Sequence, residues 1–384
     1  MSQELKDVLL SIKNHKLSDS IQLLNIIIKD NNKNYAAYHL RGVCNYRLSK
    51  YENAKKDFNN AILLQPFFPE AYHNLGLLYF TINENQISIE KFLEAIRLNK
   101  NFKMPIMALI KTLSFTENVP ENESIFISKH NEINKIKVQY SESKYIDDEE
   151  IKNLIIKSNK ILTDDFENLE FTSTQIYRRT KNDLDCKRHK KVFNTYNAIP
   201  KFCFSCFKVQ IELENVIDLI KLYLIFDNVN FKNKNTKKCL IEVRPNIPGN
   251  YKGLIYCSSF EEAEVIKKEM IKLTKLNLNK DVKCITKRGC TEFGIKYPEY
   301  TNLSENTMKY KTDWESFENI IDKDFPDLTL NKSASSTIKG ISLDDIMIIR
   351  NWLAYADLIE DYTYKKISEK KFKSNFLEKK LKLS

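Results

Sequence analysis

The sequence predicts a multidomain α+β chain: an all-helical repeat region at the N-terminus, a basic domain of strands and helices in the order βαββαβ, and a helical C-terminal region. Three observations carry that reading. They are a 34-residue internal period, a switch from helical to alternating hydrophobic spacing near residue 203, and a return to helical spacing after residue 342. The 384 residues, 42% hydrophobic and 11% aromatic, suffice for two or three cored domains and exclude a chain that is disordered throughout. With only 7 glycines, a Gly-rich nucleotide-binding fold is disfavoured.

Shifting residues 35–68 by 34 places Tyr38 on Tyr72, Gly42 on Gly76, Phe58 on Phe92, Ala61 on Ala95 and Ala54 on Ser88. This is the pattern of a helical hairpin. Small residues sit where two helices touch, aromatics fill the gap to the next hairpin, and Pro66 stops the second helix. Residues 2–33 read as a degenerate first hairpin, with Ser20, Leu24 and Ile27 at the equivalent places, and 103–116 as a closing helix. The segments YHLRG with ENAKKDFNNAILLQP, and YHNLGLLY with ISIEKFLEAIRLN, resemble the tetratricopeptide repeat (TPR). The first unit departs from that pattern at Arg41, where a leucine is usual, and the second at Lys100, where the first has Pro66. The resemblance implies a superhelix over residues 1–117 whose inner face binds a protein or peptide. The inner-face positions are His39, Val43, Tyr46 and Arg47, then His73, Leu77, Phe80 and Thr81. That lining is aromatic and aliphatic, which favours an apolar segment over a clamped carboxylate. The protein's own later helices are the alternative occupant.

Residues 118–150 are acidic and aperiodic and read as a linker. The following block carries the charge. Residues 1–150 hold 19 basic and 19 acidic side chains, 151–300 hold 28 and 18, and 301–384 hold 14 and 14, so the whole excess of +10 lies in the middle. There FKVQIEL, NVIDLIKLYLIFDN, KKCLIEVRP, KGLIYCSS, FEEAEVIKKEMIKLTKLN and DVKCITKRGC alternate as strand, helix, strand, strand, helix, strand. That order is similar to ferredoxin-like domains. Val209, Ile211, Leu213, Cys239, Ile241 and Val243 are expected inward, with Lys208, Gln210, Glu212, Leu240, Glu242 and Arg244 on an open outer face. The stretch KGLIYCSSFEEAEVI looks like part of an RNA-recognition motif, yet of the base-stacking positions only Tyr256 is aromatic.

Clustered cations make a nucleic acid or other polyanion the expected partner of this domain. The candidate anion-binding residues are Arg178, Arg179, Lys187, Arg188, Lys190, Lys191, Arg244, Lys287 and Arg288, with Lys181 in the same run. A solvated basic face is the alternative. Cys186-x2-His189 and Cys203-x2-Cys206 supply the four N/S donors of tetrahedral zinc, and a structural zinc on them is expected. The competing fate is a set of small buried hydrophobes, to which Cys239, Cys257 and Cys284 are assigned. Cys290, in KRGCTEFG beside Lys287 and Arg288, is a weak candidate nucleophile that would need His189 as its base.

No GxxxxGK[ST], HExxH or GxSxG pattern occurs, and the acidic pairs Asp164-Asp165 and Asp344-Asp345 read as helix starts. Ser342 with Asp345 opens a helix bearing Ile346, Ile349, Trp352, Leu353 and Tyr355, and the Lys-rich tail ends in a basic amphipathic helix. No apolar run reaches the roughly 18 residues of a membrane span, and MSQELKDVLL lacks the features of a secretory leader. The expectation is a cytoplasmic adaptor with reduced or metal-bound thiols. The alternative is an enzyme, a transferase or thiol-dependent, on the open sheet face of residues 203–293 near Arg244, Lys287, Arg288 and Cys290, with the repeats recruiting substrate.

Overall fold

A computed structural model describes residues 3–119, 123–162, 166, 169–180, 186–244, 247–303, 308–329 and 335–382, the side chains of residues 327 and 329 excepted. Lys181 and the pair Asp164-Asp165 lie outside these residues. Backbone proximity divides the chain into two compact units, residues 1–116 with 319–332, and residues 117–318 with 333–384.

The first unit opens with three helical hairpins, α1 (Gln3–Lys13) with α2 (Leu17–Asp30), α3 (Tyr35–Arg47) with α4 (Tyr51–Leu64), and α5 (Pro69–Thr81) with α6 (Asn85–Leu98), followed by α7 (Lys103–Leu113). Asn34 caps α3 by accepting from the Ala37 amide, and Pro69 begins α5 where its missing N–H costs nothing. The turn inside each hairpin is made by a left-handed residue, His15 (φ 60°), Ser49 (φ 60°) and Asn83 (φ 66°), again 34 residues apart. The period thus extends into the degenerate first repeat. Ser20, Ala54 and Ser88 are fully buried at the helix crossings, as are Leu24, Phe58 and Phe92 one turn on. Glycine is required at 42 and 76, where a Cβ would lie 2.7 Å from the Phe58 ring and 2.6 Å from the Phe92 ring. The irregular Arg41 is also accounted for, since it reaches Asp57 (2.7 Å) and Asn25 (2.7 Å) while Asn45 donates to the same carboxylate (3.0 Å).

In the second unit the segment read as a linker is structured. It contains α8 (Ile125–Asn134) and the start of α9 (Asp148–Ile161). Asn277 pins the chain between them, donating to the carbonyls of Ser141, Glu142 and Lys144 and accepting the Ile146 amide on its own carbonyl. A sheet follows, of β1 (Gln175–Arg178), β2 (Phe207–Leu213), β3 (Lys237–Ile241), β4 (Tyr251–Cys257) and β5 (Lys283–Arg288). Among the described residues, α9 is followed by α10 (Cys186–Tyr196), α11 (Val216–Asn228) after β2 and α12 (Phe260–Leu278) after β4. Further on come α13 (Trp314–Asp324), α14 (Pro326–Thr329), α15 (Leu343–Leu358) and α16 (Asn375–Lys382), with the end of α13 and all of α14 assigned to the first unit.

The sheet is antiparallel with order β1-β3-β4-β2-β5, five strands rather than the four expected, so its order departs from the ferredoxin-like expectation. The extra edge strand, QIYR, pairs with β3 and belongs to a run that composition marks only as basic. α11 is buried on nearly every side, and α15 starts with the expected capping box at Ser342 and Asp345. α15 anchors the edge of the sheet: Trp352 donates to the Thr174 carbonyl (2.9 Å) and Asn351 to those of Phe171 and Ser173.

One expectation fails at the sheet's outer face, which is largely closed. Val209, Ile211 and Leu213 are buried as expected, but so are Lys208, Gln210, Leu240, Glu242, Lys252 and Leu254. Their charges are satisfied locally, Lys252 on Glu242 (3.1 Å) and Lys208 on the Gly289 carbonyl (3.1 Å). Alternation identifies sides of a sheet but not what later chain folds over them.

Candidate functional site

Two places gather the side chains singled out by sequence. The first is the repeat surface. Val43, Tyr46, Leu77, Phe80 and Thr81 remain partly exposed and Arg47 exposed. Tyr46 and Thr81, in successive hairpins, share a hydroxyl hydrogen bond (2.8 Å), and Phe80 meets Phe115 edge-on. The two histidines do something else. His39 packs between Phe58 and Phe68 with its Nε2 at 2.7 Å from Asn74, and His73 packs between Phe92 and Phe102. His73 is buried with no hydrogen-bond partner on either ring nitrogen, so it belongs to the core and not to a groove lining. Burial pushes both imidazoles down to about 4, which keeps them neutral at pH 7.

The second place is the end of the sheet where β2 begins and β5 ends. Four of the nine cations expected to bind anions are committed to partners inside the unit, although one of them, Arg244, stays exposed. Arg178 is buried against Asp227, Asp345 (two contacts of 3.2 Å), the Tyr223 hydroxyl (2.7 Å) and the Gly340 carbonyl (2.9 Å). Arg188 pairs with Glu318 (2.8 Å) and Arg244 with Glu242 (2.7 Å). Arg288 donates to the carbonyls of Phe204 and Tyr300 and lies over the Phe207 ring. Arg179 lies over Tyr177 at 4.6 Å, and burial lowers the pKa of the half-buried Lys287. Lys187 and Lys190 are exposed on α10 and Lys191 is half-buried. A run of Lys and Arg letters therefore overstated the cationic surface, because burial and internal pairing consume charge that a count cannot distinguish.

The expected zinc ligands Cys186, His189, Cys203 and Cys206 are not assembled as a set. His189 is buried and stacks on Phe202 (5.1 Å, 19° between planes), and among the described residues no three His, Cys, Asp or Glu side chains are gathered to hold a metal ion. What the fold does bring together is Cys203 and Cys290, 87 positions apart in sequence, close enough for each thiol to shift the other's titration, with the Cys206 and Cys186 thiols adding to the effect on Cys203.

The backbone explains the convergence. β2 pairs with β5 so that Phe207 faces Arg288, and the Gly289 amide then donates to the Cys206 carbonyl (2.9 Å). Gly289 is obligatory, since a Cβ there would stand 2.4 Å from the Cys206 sulfur. Tyr300 folds back to donate its hydroxyl to the Cys203 carbonyl (2.8 Å), and Lys208 fixes Gly289 and Thr291. The thiols are unequal. Cys203, beside Cys290 and buried, is held far above the usual thiol range, and burial pushes Cys206 up to about 12. Cys290 is lowered, first by Cys203 and then by the charges of Lys208 and Lys190, against the opposing effects of burial and Glu292. Sequence reasoning missed Lys208 and Tyr300, and the glycine inside KRGC was the one local signal of a close approach.

Hairpins repeating at 34 residues, with small residues at each crossing, define the first unit as a helical repeat array of the kind that stacks to bury its faces. Residues 35–68 and 69–102 match the tetratricopeptide repeat family, so these two segments are tetratricopeptide repeats. Among solved structures the chain is similar to the second TPR domain of human RPAP3, determined by NMR in complex with an HSP70 peptide. The identity is 22%, with 28% of this chain and 91% of that one covered and a TM-score of 0.27. It is also similar to the first TPR of Spaghetti, bound to an HSP90 peptide (20% identity, 28% and 85% covered, TM-score 0.27), and to the Sgt2 TPR domain from Aspergillus fumigatus (16%, 31% and 84%, 0.28). No curated protein matches the chain. Among the described residues no helix is long and apolar enough to cross a membrane.

Proposed function

We propose that the protein is an adaptor whose tetratricopeptide repeats dock an apolar, aromatic-bearing segment of a partner protein. The observation that carries this reading is the half-exposed strip Val43, Tyr46, Leu77 and Phe80, set on consecutive repeats and carrying one exposed cation, Arg47. A carboxylate-specific site would need several cations and amide donors aimed at one point, whereas here His39 and His73 are neutral and turned into the repeat core. Apolar contacts then supply affinity, and the single charge sets orientation. The second unit, which we read as a ferredoxin-like βαββαβ core extended by β1, adds the cationic ridge of Lys187 and Lys190 for an acidic stretch of the same partner or another polyanion.

Panning the full chain against a random peptide library tests this. Enriched peptides are expected to be apolar and aromatic, with Leu77→Asp and Phe80→Asp each weakening binding at least tenfold. Enrichment of acidic C-terminal peptides, or binding indifferent to both substitutions, would refute the apolar site. For the cationic ridge, affinity for an acidic peptide that does not weaken between low and physiological salt would count against it.

A further inference from the structure

Two rows of side chains that cross the outer face of the sheet differ in their charge balance. In the first, Glu212 on β2 stands opposite Lys252 on β4 and Lys283 on β5, so a carboxylate lies between two cations. Lys283 meets it at 2.9 Å, and Lys252 is also held by Glu242 at 3.1 Å. In the second, Lys208 on β2 stands opposite Tyr256 on β4 and Lys287 on β5. Here the middle place is itself a cation, and Glu212 lies four residues, about 13 Å, further along the strand. Like charges directly opposite on one face of a sheet repel. Lys208 is 8% exposed and donates to the Gly289 carbonyl (3.1 Å) and the Thr291 hydroxyl (3.4 Å), which accept hydrogen bonds without cancelling its charge. Among the described residues the half-buried Lys287 forms no ion pair or side-chain hydrogen bond, and the hydroxyl of the partly exposed Tyr256 forms no hydrogen bond. Lys238 adds a third cation, over the Tyr256 ring at 5.9 Å. The acid whose charge reaches this row, Glu292, is exposed and forms no ion pair with it.

We propose that the row Tyr256–Lys208–Lys287 binds a tetrahedral oxyanion, the phosphate or sulfate group of a small ligand. The two ammoniums only donate, and the phenol hydroxyl can donate with them, so the complementary group carries negative charge and accepts from several sides. A tetrahedral oxyanion meets both conditions, whereas a planar carboxylate has only two oxygens to offer. Bound there, it does for Lys208 and Lys287 what Glu212 does for Lys252 and Lys283. Lys287 makes the direct ionic contact. Lys208, held by Gly289 and Thr291, contributes mainly its charge. The site is separate from the Lys187 and Lys190 ridge and does not depend on what the repeats dock.

The test footprints the lysines of the full chain with an amine-acetylating reagent, mapped by mass spectrometry, in sodium phosphate, sulfate, acetate or chloride at one pH and ionic strength. Phosphate or sulfate is expected to slow modification of Lys287 about threefold or more relative to chloride, with Lys187 and Lys283 unaffected. The anion that protects at the lower concentration identifies the group. In chloride, Lys287→Met is expected to unfold in urea at a midpoint equal to or above that of wild type, because the like-charge contact is gone. It should also lose the extra stabilisation that the protecting anion gives wild type. Phosphate and sulfate strengthen burial in any protein, and the comparison with Lys287→Met removes that general effect. Glu292→Gln should increase protection at a given anion concentration. Equal modification of Lys287 in all four salts, protection by acetate as strong as by phosphate and sulfate, or anion stabilisation undiminished in Lys287→Met would overturn the site. So would a midpoint of Lys287→Met below wild type in chloride, since the lysine would then be holding the strand edge rather than facing a ligand.

Discussion

Arg178 shows how a residue's role depends on partners remote in sequence. Its guanidinium is buried against two carboxylates, a tyrosine hydroxyl and a carbonyl drawn from residues 223–345, and it stacks over the Tyr223 ring at 4.6 Å. Removing it leaves Asp227 and Asp345 buried without their cation, a defect that costs about 3–5 kcal/mol. Arg178→Met is accordingly expected to lower the stability of the second unit by that amount in urea denaturation, and a loss below about 1 kcal/mol, the size of a surface pair, would show that the network is not what holds the strand edge. Neither the network nor the thiol pair was legible in the sequence. The letters of IYRRTKNDLDCKRHKK report charge and sulfur, but which of them meets Asp345 is decided by a contact spanning 167 positions.

The buried histidines give a second expectation at the residue scale. Burial pushes His73 and His130 down to about 4, below the ordinary value near 6.5. Between those two values the unfolded chain binds protons that the folded chain refuses. Stability is therefore fully present above pH 6.5 and falls as pH drops toward 4, by about 2–3 kcal/mol per histidine at pH 4.5. His73→Phe, which keeps the ring between Phe92 and Phe102, should flatten the decline between pH 7 and 4.5 by roughly one histidine's share in chemical denaturation. An unchanged slope would mean that His73 protonates without unfolding.

At the scale of elements, the repeats were legible because their constraints are local and recur. Two helices cross at a small residue, an aromatic fills the gap, and both events fall 34 residues apart. The turns carry a subtler repeat, since His15, Ser49 and Asn83 share one left-handed conformation that their side chains do not advertise. Ser49→Gly relieves that conformation and should raise the melting temperature slightly, for a gain of at most about 1 kcal/mol. Gly76→Val does the reverse by driving side-chain atoms into the Phe92 ring, with an expected loss of about 1–3 kcal/mol. Calorimetry that found both changes neutral would show that the hairpin cores repack freely. β1 was illegible for the opposite reason. Four residues, half of them polar or charged, become a strand only because β3 offers a ladder and α15 covers the edge. The acidic stretch 118–150 misled in the same way, its order imposed by Asn277 from α12.

At the scale of the whole molecule, the two units have separate cores but interleaved chain, since residues 319–332 belong with the repeats although their neighbours on both sides belong to the second unit. Ile321 is buried at 1% exposure within that segment. Two consequences follow for unfolding. Gly76→Val should lower one thermal transition and Arg178→Met the other, each leaving its counterpart within about 0.5 kcal/mol, as expected for changes that share no contacts. A fragment of residues 1–118 should nevertheless melt below the repeat transition of the full chain, because it lacks the segment grouped with the repeats. If the fragment melts at the same temperature as the repeats in the intact protein, residues 319–332 contribute nothing to the first unit. A single transition shifted equally by Gly76→Val and Arg178→Met would instead mean that the two cores unfold as one.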